Sequence, residues 1–539
     1  MRVSRRSLLQ GGVAGVGAYA FGGRAMGLGA AAPVAATTAG KVRGFVDDGV
    51  MVFKGVPYGA DTAARRFMHP VRPSAWTGVR ECVEFGPRAP QPGGRGMMGA
   101  PQRGYYLPPE LGDVGEDCLR LNVWTAGLRD GRKRPVIVYI HGGAYSGGSG
   151  NNNLYDGGHL VKRGDAVVVT LTHRLNIFGY LYLAKMVPEL ADSGNAGQLD
   201  LVLALEWVRD NIAEFGGDAG RVTIFGQSGG GAKCATLMAM PAAKGLFHRV
   251  MSMSGQQVTG TREDHADERA RLVLKALDLT AARAGEIRTM PLDKLIPAAR
   301  AGGYMGPVKD GRTLPRGPFE PDAPGISAHV PMIIGNTHDE TRGLIGSADP
   351  TTFALTWETL PTKLSIIKPF IGELRPEQIV AKYREIYPKY SASDVFFAAT
   401  TAFRSWRGAV IEAERRALQP VASRHTWVYE MDWKSPVDGG KFGAPHTVDI
   451  PFMFDNTQRA PGACGDDASA PVLATAMSEM LLAYAATGDP NCEYLPAWPV
   501  FDEKRRATMV FDREVRVVDD PRGAERKFVA QAPYIQPGT

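Results

Sequence analysis

The sequence predicts an α/β protein with a large, mostly parallel central sheet, helices on both faces and helical cap insertions. Three observations carry that expectation. Apolar strand-like runs alternate with longer helical patterns along the chain. The runs "PVIVYI" (135–140) and "AVVVTLT" (166–172) are nearly continuous and β-branched, as in strands buried on both faces. A third run, "VTIF", passes straight into the glycine-crowded serine of "GQSGGGAK" and out into a helix.

In chain order, "KVRGFVDDGVMVFKGVPY" is a hairpin turning at Asp47-Asp48-Gly49. Strands follow at 119–125, 135–140 and 166–172. In "GQLDLVLALEWVRDNIAEFGG", Leu199, Val202, Leu203 and Trp207 share one helical face and Gly216-Gly217 stops the run. That pattern predicts an amphipathic helix. A strand at 222–226 leads to Ser228 and a helix reaching about Met240. Strands are expected at 249–254, 330–335 and 426–433, a helix near 470–486 and a closing hairpin near 508–518. The helical stretches 262–300 and 352–418 fall between strands and are expected to be caps. Stretches around 88–112, 260–320 and 345–400 should line the access to the site.

The 539 residues suffice for a large single domain. Residues 1–36 are set apart as an export signal of the twin-arginine type: paired Arg5 and Arg6, a Gly-rich apolar run, then small residues. The domain is expected over 37–539, periplasmic or secreted. Removing the signal takes four arginines and no acids, lowering the formal charge from +6 to +2. No Lys/Arg stripe with interleaved aromatics is present, which speaks against nucleic-acid binding. No later run approaches about 20 uninterrupted apolar residues, so stable membrane insertion is not expected. None of the five cysteines lies in a C-x-x-C pair, so no metal or redox site is expected.

The chemistry centres on Ser228. Gly226-Gln227-Ser228-Gly229-Gly230 is the chain's one G-x-S-x-G, flanked by strand and helix as a nucleophile elbow requires. A serine hydroxyl needs a base, and the base needs an orienting acid. "VPMIIGNTHDET" places Asp339 and Glu340 just past a strand end, and spacing does not choose between them. Only His425 and His446 lie further on; His425 opens a strand, whereas His446 sits in a Gly/Pro loop and is preferred. "YIHGGAYSGGS" breaks a strand into Gly142-Gly143-Ala144, whose backbone N–H groups, with that of Gly229, suit a developing oxyanion.

These motifs, with "FKGVPYG", "GEDCLRLNVWT", "MSMSG", "APHTVDIPFMF" and "GDPN…AWPVFD", resemble the type-B carboxylesterase family over about residues 40–502. That family includes cholinesterases and bacterial para-nitrobenzyl esterases. The resemblance implies an α/β-hydrolase fold and a cofactor-free serine esterase acting on small-molecule esters. It makes Ser228 the nucleophile, Glu340 rather than Asp339 the acid, and His446 the base. Gly143, Ala144 and Gly229 become the oxyanion donors, and Ser254 a support for the acid. Arg174 and Asp200 match a structural ion pair. Two departures stand out. Ala89 replaces a cysteine that usually pairs with the equivalent of Cys118, leaving Cys82 as a replacement partner to test. Gln227 replaces the glutamate that cholinesterases carry, which argues against choline esters and for uncharged small to medium substrates. The alternatives are a narrower esterase of lipase, polyester, toxin or choline type, and a non-catalytic binding module on the same fold.

Overall fold

The buried β-branched runs become the centre of an eleven-stranded sheet. A computed structural model describes residues 32–92 and 105–538. Its strands are β1 (Val34–Ala36), β2 (Lys41–Arg43), β3 (Phe45–Asp47), β4 (Val50–Pro57), β5 (Val79–Glu81), β6 (Arg120–Thr125), β7 (Arg134–Ile140), β8 (Val167–Leu171), β9 (Gly217–Gln227), β10 (Arg249–Met253), β11 (Met332–Thr337), β12 (Thr426–Met431), β13 (Ala507–Phe511) and β14 (Arg516–Asp519). The large sheet runs β14-β13-β12-β11-β10-β9-β7-β8-β6-β4-β3, and β1-β2-β5 form a small one. From β13 through β8 every pairing is parallel; both flanks are antiparallel.

Every residue of β7, β8 and β11 is buried, because helices cover both faces. Alternation divides the core. Val136, Val138 and Ile140 join the cluster containing Leu201, Leu205 and Val208 of the helix Ala196–Asn211. Ile137 and Tyr139 join the opposite cluster with Met477, Leu481 and Tyr484 of Ser469–Thr487. This last helix is long and apolar enough to cross a membrane, but 61% of the qualifying window is packed inside the protein.

Two expectations need correction. The helix Ala196–Asn211 is buried at 13 of 16 positions, not on one face only. Its polar residues are therefore paired: Asp200 accepts from Arg174 Nη2 (2.6 Å) and Nε (2.9 Å), both side chains being fully buried. The stretch 352–418 is not one cap. Leu360–Lys363, Pro376–Ile386 and Ala392–Thr401 share their own apolar cluster, whereas Ala409 and Ala413 of Arg407–Ala417 pack into the sheet's core. At the start of the described body, β1 pairs with β2, and Ala36 N donates to Glu214 Oε2 (3.1 Å). The twin-arginine segment itself lies outside the described residues. Cys82 and Cys118 are separate buried thiols; burial pushes Cys82 up to about 11.

Parallel register aligns the functional loops. Ile140 stands opposite Gly226, Gln227 opposite Met253, and Met253 opposite Gly335. The chain thus leaves β7, β9, β10 and β11 along one edge, delivering His141, Ser228, Ser254 and the 338–340 turn side by side.

Candidate active site

Ser228 has φ 59° and ψ −129°, a sparsely populated positive-φ conformation that costs an ordinary side chain of order 1–3 kcal/mol. Its surroundings hold it there. Ser228 N donates to Met253 O (2.7 Å), and Ser228 O accepts from Ala232 N (3.1 Å), starting the helix Gly229–Leu237. A Cβ at Gly230 would overlap the Ile140 carbonyl oxygen, and one at Gly226 would overlap the Gly230 backbone. Strand and helix approach this closely only with glycine at both positions. Residues 222–227 are buried, whereas Ser228 is half-exposed, so the turn lifts its hydroxyl out of the core.

Gly143 (φ 83°) and Ala144 (φ 53°) turn away from β7 toward the elbow. A Cβ at Gly229 would overlap the Ala144 backbone, so the two segments touch. Among the described residues, the N–H groups of Gly143, Ala144 and Gly229 have no hydrogen-bond acceptor. Three free donors beside the Ser228 turn form a site for negative charge.

Glu340 is fully buried. Its Oε1 accepts from Thr337 N (3.1 Å) and Asn336 Nδ2 (3.1 Å), and its Oε2 receives His446 Nδ1. Burial pushes this carboxyl up, but His446, then Ser254 and Asn336, hold it below the usual range. Ser254, at φ 50°, accepts from Thr337 N at 3.4 Å through its Oγ, beside this carboxylate. Asp449, one turn past His446, is different: burial raises it to about 7 despite its bond from Tyr429 Oη (2.8 Å). Glu340 is thus the anion paired with the imidazole.

Asp339 points elsewhere. It accepts from Ala444 N (3.0 Å) and pairs with Arg342 (3.0 Å), tying the 443–446 loop to β11. Tyr105 Oη bonds His446 O (3.1 Å) from the other side. His425 lies at the start of β12, a strand's length from this edge. Gln227 Nε2 rests 3.4 Å from His446 Nδ1 and 3.3 Å from Nε2. No hydrogen bond joins Ser228 Oγ to His446 in this structure.

No sequence pattern points to Thr447, whose φ of 79° is rare for a β-branched residue and bends the chain just past His446. Asn336 also escaped notice, although its place four residues before Glu340 was the available signal. Among the described residues no group of three or more His, Cys, Asp or Glu could hold a metal ion. The arrangement suits acyl transfer: a lifted hydroxyl, a carboxylate-paired imidazole and free N–H donors.

Comparison with known proteins agrees with that chemistry. The sequence pattern of the carboxylesterase family matches residues 31–529. The para-nitrobenzyl esterase of Bacillus subtilis is 32% identical over 512 residues, covering 92% of this chain and 98% of that protein. The phenmedipham hydrolase of Pseudarthrobacter oxydans is 32% identical over 515 residues, covering 89% and 95%. A crystal structure of the Geobacillus stearothermophilus carboxylesterase EST55 superposes with a TM-score of 0.79 at 35% identity, covering 92% and 99%.

The two adjacent acids should separate on substitution. Glu340→Gln is expected to lower kcat by about 10³-fold or more, since the imidazole loses its anion. Asp339→Asn should lower kcat less than tenfold while lowering thermal stability. Steady-state kinetics with thermal melts would check both; the reverse order would reassign the acid.

Proposed function

The chain belongs to the carboxylesterase family and is a serine-type carboxylic ester hydrolase, and from that premise we propose that Ser228, His446 and Glu340 carry its reaction. Ser228 Oγ attacks the ester carbonyl and passes its proton to His446 Nε2. Gly143, Ala144 and Gly229 donate to the tetrahedral oxyanion. The alcohol leaves with the proton from His446, and an acyl-serine remains. Water then attacks with His446 again as base, and Ser228 recovers its proton as the acid departs. Glu340 accepts from Nδ1–H, leaving Nε2 unprotonated and able to accept. Substrate entry must bring Nε2 within reach of Ser228 Oγ, a tightening common when the reacting complex forms. The observation that supports this reading most is the buried Glu340–His446 pair beside the positive-φ Ser228.

Ser228→Ala should lower kcat by about 10⁴-fold or more, and His446→Ala nearly as much, with the double variant little worse than either. His425→Ala should stay within about twofold. Additive losses in the double variant would give His446 a separate role.

The substrate reading turns on Gln227. A carboxylate at about 5 Å and an effective dielectric near 20 would attract a quaternary ammonium by roughly 3 kcal/mol; the neutral amide of Gln227 does not. Uncharged esters are therefore the proposed substrates. Acetylthiocholine should be turned over no better than an uncharged thioester of similar size, and Gln227→Glu should shift kcat/KM toward the cation. A strong wild-type preference for the choline ester would contradict this.

Export is proposed from Arg5-Arg6, the Gly-rich apolar run and the small residues that follow it within residues 1–36. N-terminal sequencing of protein recovered outside the cytoplasm should begin close to residue 37. An intact Met1 on active intracellular protein would contradict it.

A further inference from the structure

Behind the oxyanion loop lies a lysine with no solvent and no acid. Lys233 is fully buried in the helix Gly229–Leu237, and no carboxylate pairs with it among the described residues. A buried ammonium is costly unless its protons are used. Its Nζ donates to the His141 carbonyl (3.1 Å) and lies 5.5 Å from the centre of the Tyr145 ring. Those two residues bracket the 142–144 turn. The β7 ladder makes its last pairings at Ile140, with Gly226 on one side and Leu171 on the other. The next carbonyl, that of His141, is held by Lys233 instead. The His141 ring stacks on His173 (4.9 Å), and the Nε2 atoms of both rings are buried without partners. Burial lowers the amine to about 7, but neutral or charged it still donates to His141 O.

We propose that Lys233 is a positioning residue for the oxyanion hole: it clamps the helix that begins at Gly229 to the turn that carries Gly143 and Ala144. One side chain then adds a polar tie between the two halves of the donor set, which already touch at Gly229 and Ala144. The inference rests on the Ser228 reading above and adds a residue that touches neither substrate nor the reacting atoms. Loss of the clamp should hurt the tetrahedral state, which needs all three donors at once, more than it hurts ground-state binding.

The test is Lys233→Met, which fills similar volume without a donor. With a short-chain para-nitrophenyl ester, kcat should fall about 10- to 100-fold while KM stays within about twofold. An alkyl trifluoromethyl ketone is the second probe. Ser228 Oγ adds to its carbonyl carbon, the proton passes to His446, and the oxygen becomes an oxyanion in the hole. Its inhibition constant should weaken by a factor similar to the loss in kcat. A folded Lys233→Met enzyme with kcat within twofold of wild type would overturn the proposal. So would a loss of kcat with unchanged affinity for the ketone. Should Lys233→Met not fold, Lys233→Gln, with one donor on a shorter arm, carries the same expected split and the same contradiction. Ser228→Ala assayed alongside separates the readings. If it keeps turnover, the nucleophile assignment falls; if it is inert and Lys233→Met is normal, this inference falls alone.

Discussion

Everything at this site depends on how closely three backbones meet. Beneath Ser228, the end of β7, the end of β9 and the start of the helix Gly229–Leu237 converge, with no room for a Cβ at Gly226 or Gly230. That convergence forces Ser228 into φ 59° and lifts its hydroxyl from an otherwise buried strand. It also presses Gly229 against Ala144, so the proposed nucleophile and the proposed oxyanion donors are brought together by one packing event. Any side chain inserted there would separate them. The strain is paid for by the sheet, whose parallel register brings four loops to the same edge.

The electrostatics follow a similar division between what is ionised and what is not. Glu340 is kept anionic by an imidazole, a hydroxyl and an amide, while burial pushes nearby Asp449 toward neutrality. Two full negative charges beside His446 would compete for it. Asp339, adjacent in sequence, is held below the usual carboxylate range even against burial, chiefly by His338 and Arg342, and anchors the histidine loop. Neighbouring acids thus take different duties because alternate residues past β11 point in different directions.

Much of this was legible in the sequence. The central strands were, because full burial leaves unbroken apolar runs. The elbow was, because glycine flanks a serine between strand and helix. What escaped has physical reasons. β1 has three residues and pairs only at an edge, so it leaves little pattern. Arg407–Ala417 follows the cap helices without a break in helical signal, and only tertiary packing assigns it to the sheet. The choice between Asp339 and Glu340 rested on family likeness, since spacing places both at the same strand end. Lys233 carried no signal at all: a lysine a turn into a helix ordinarily faces water, and only the fold shows that this one does not.

The most direct measurement of the central claim is covalent labelling of the intact protein by a serine-directed organophosphate, followed by peptide mass spectrometry. One adduct per chain, on the peptide bearing Ser228, with activity lost in proportion to labelling, is the predicted result. An adduct on another residue, or full activity after exposure, would contradict the account.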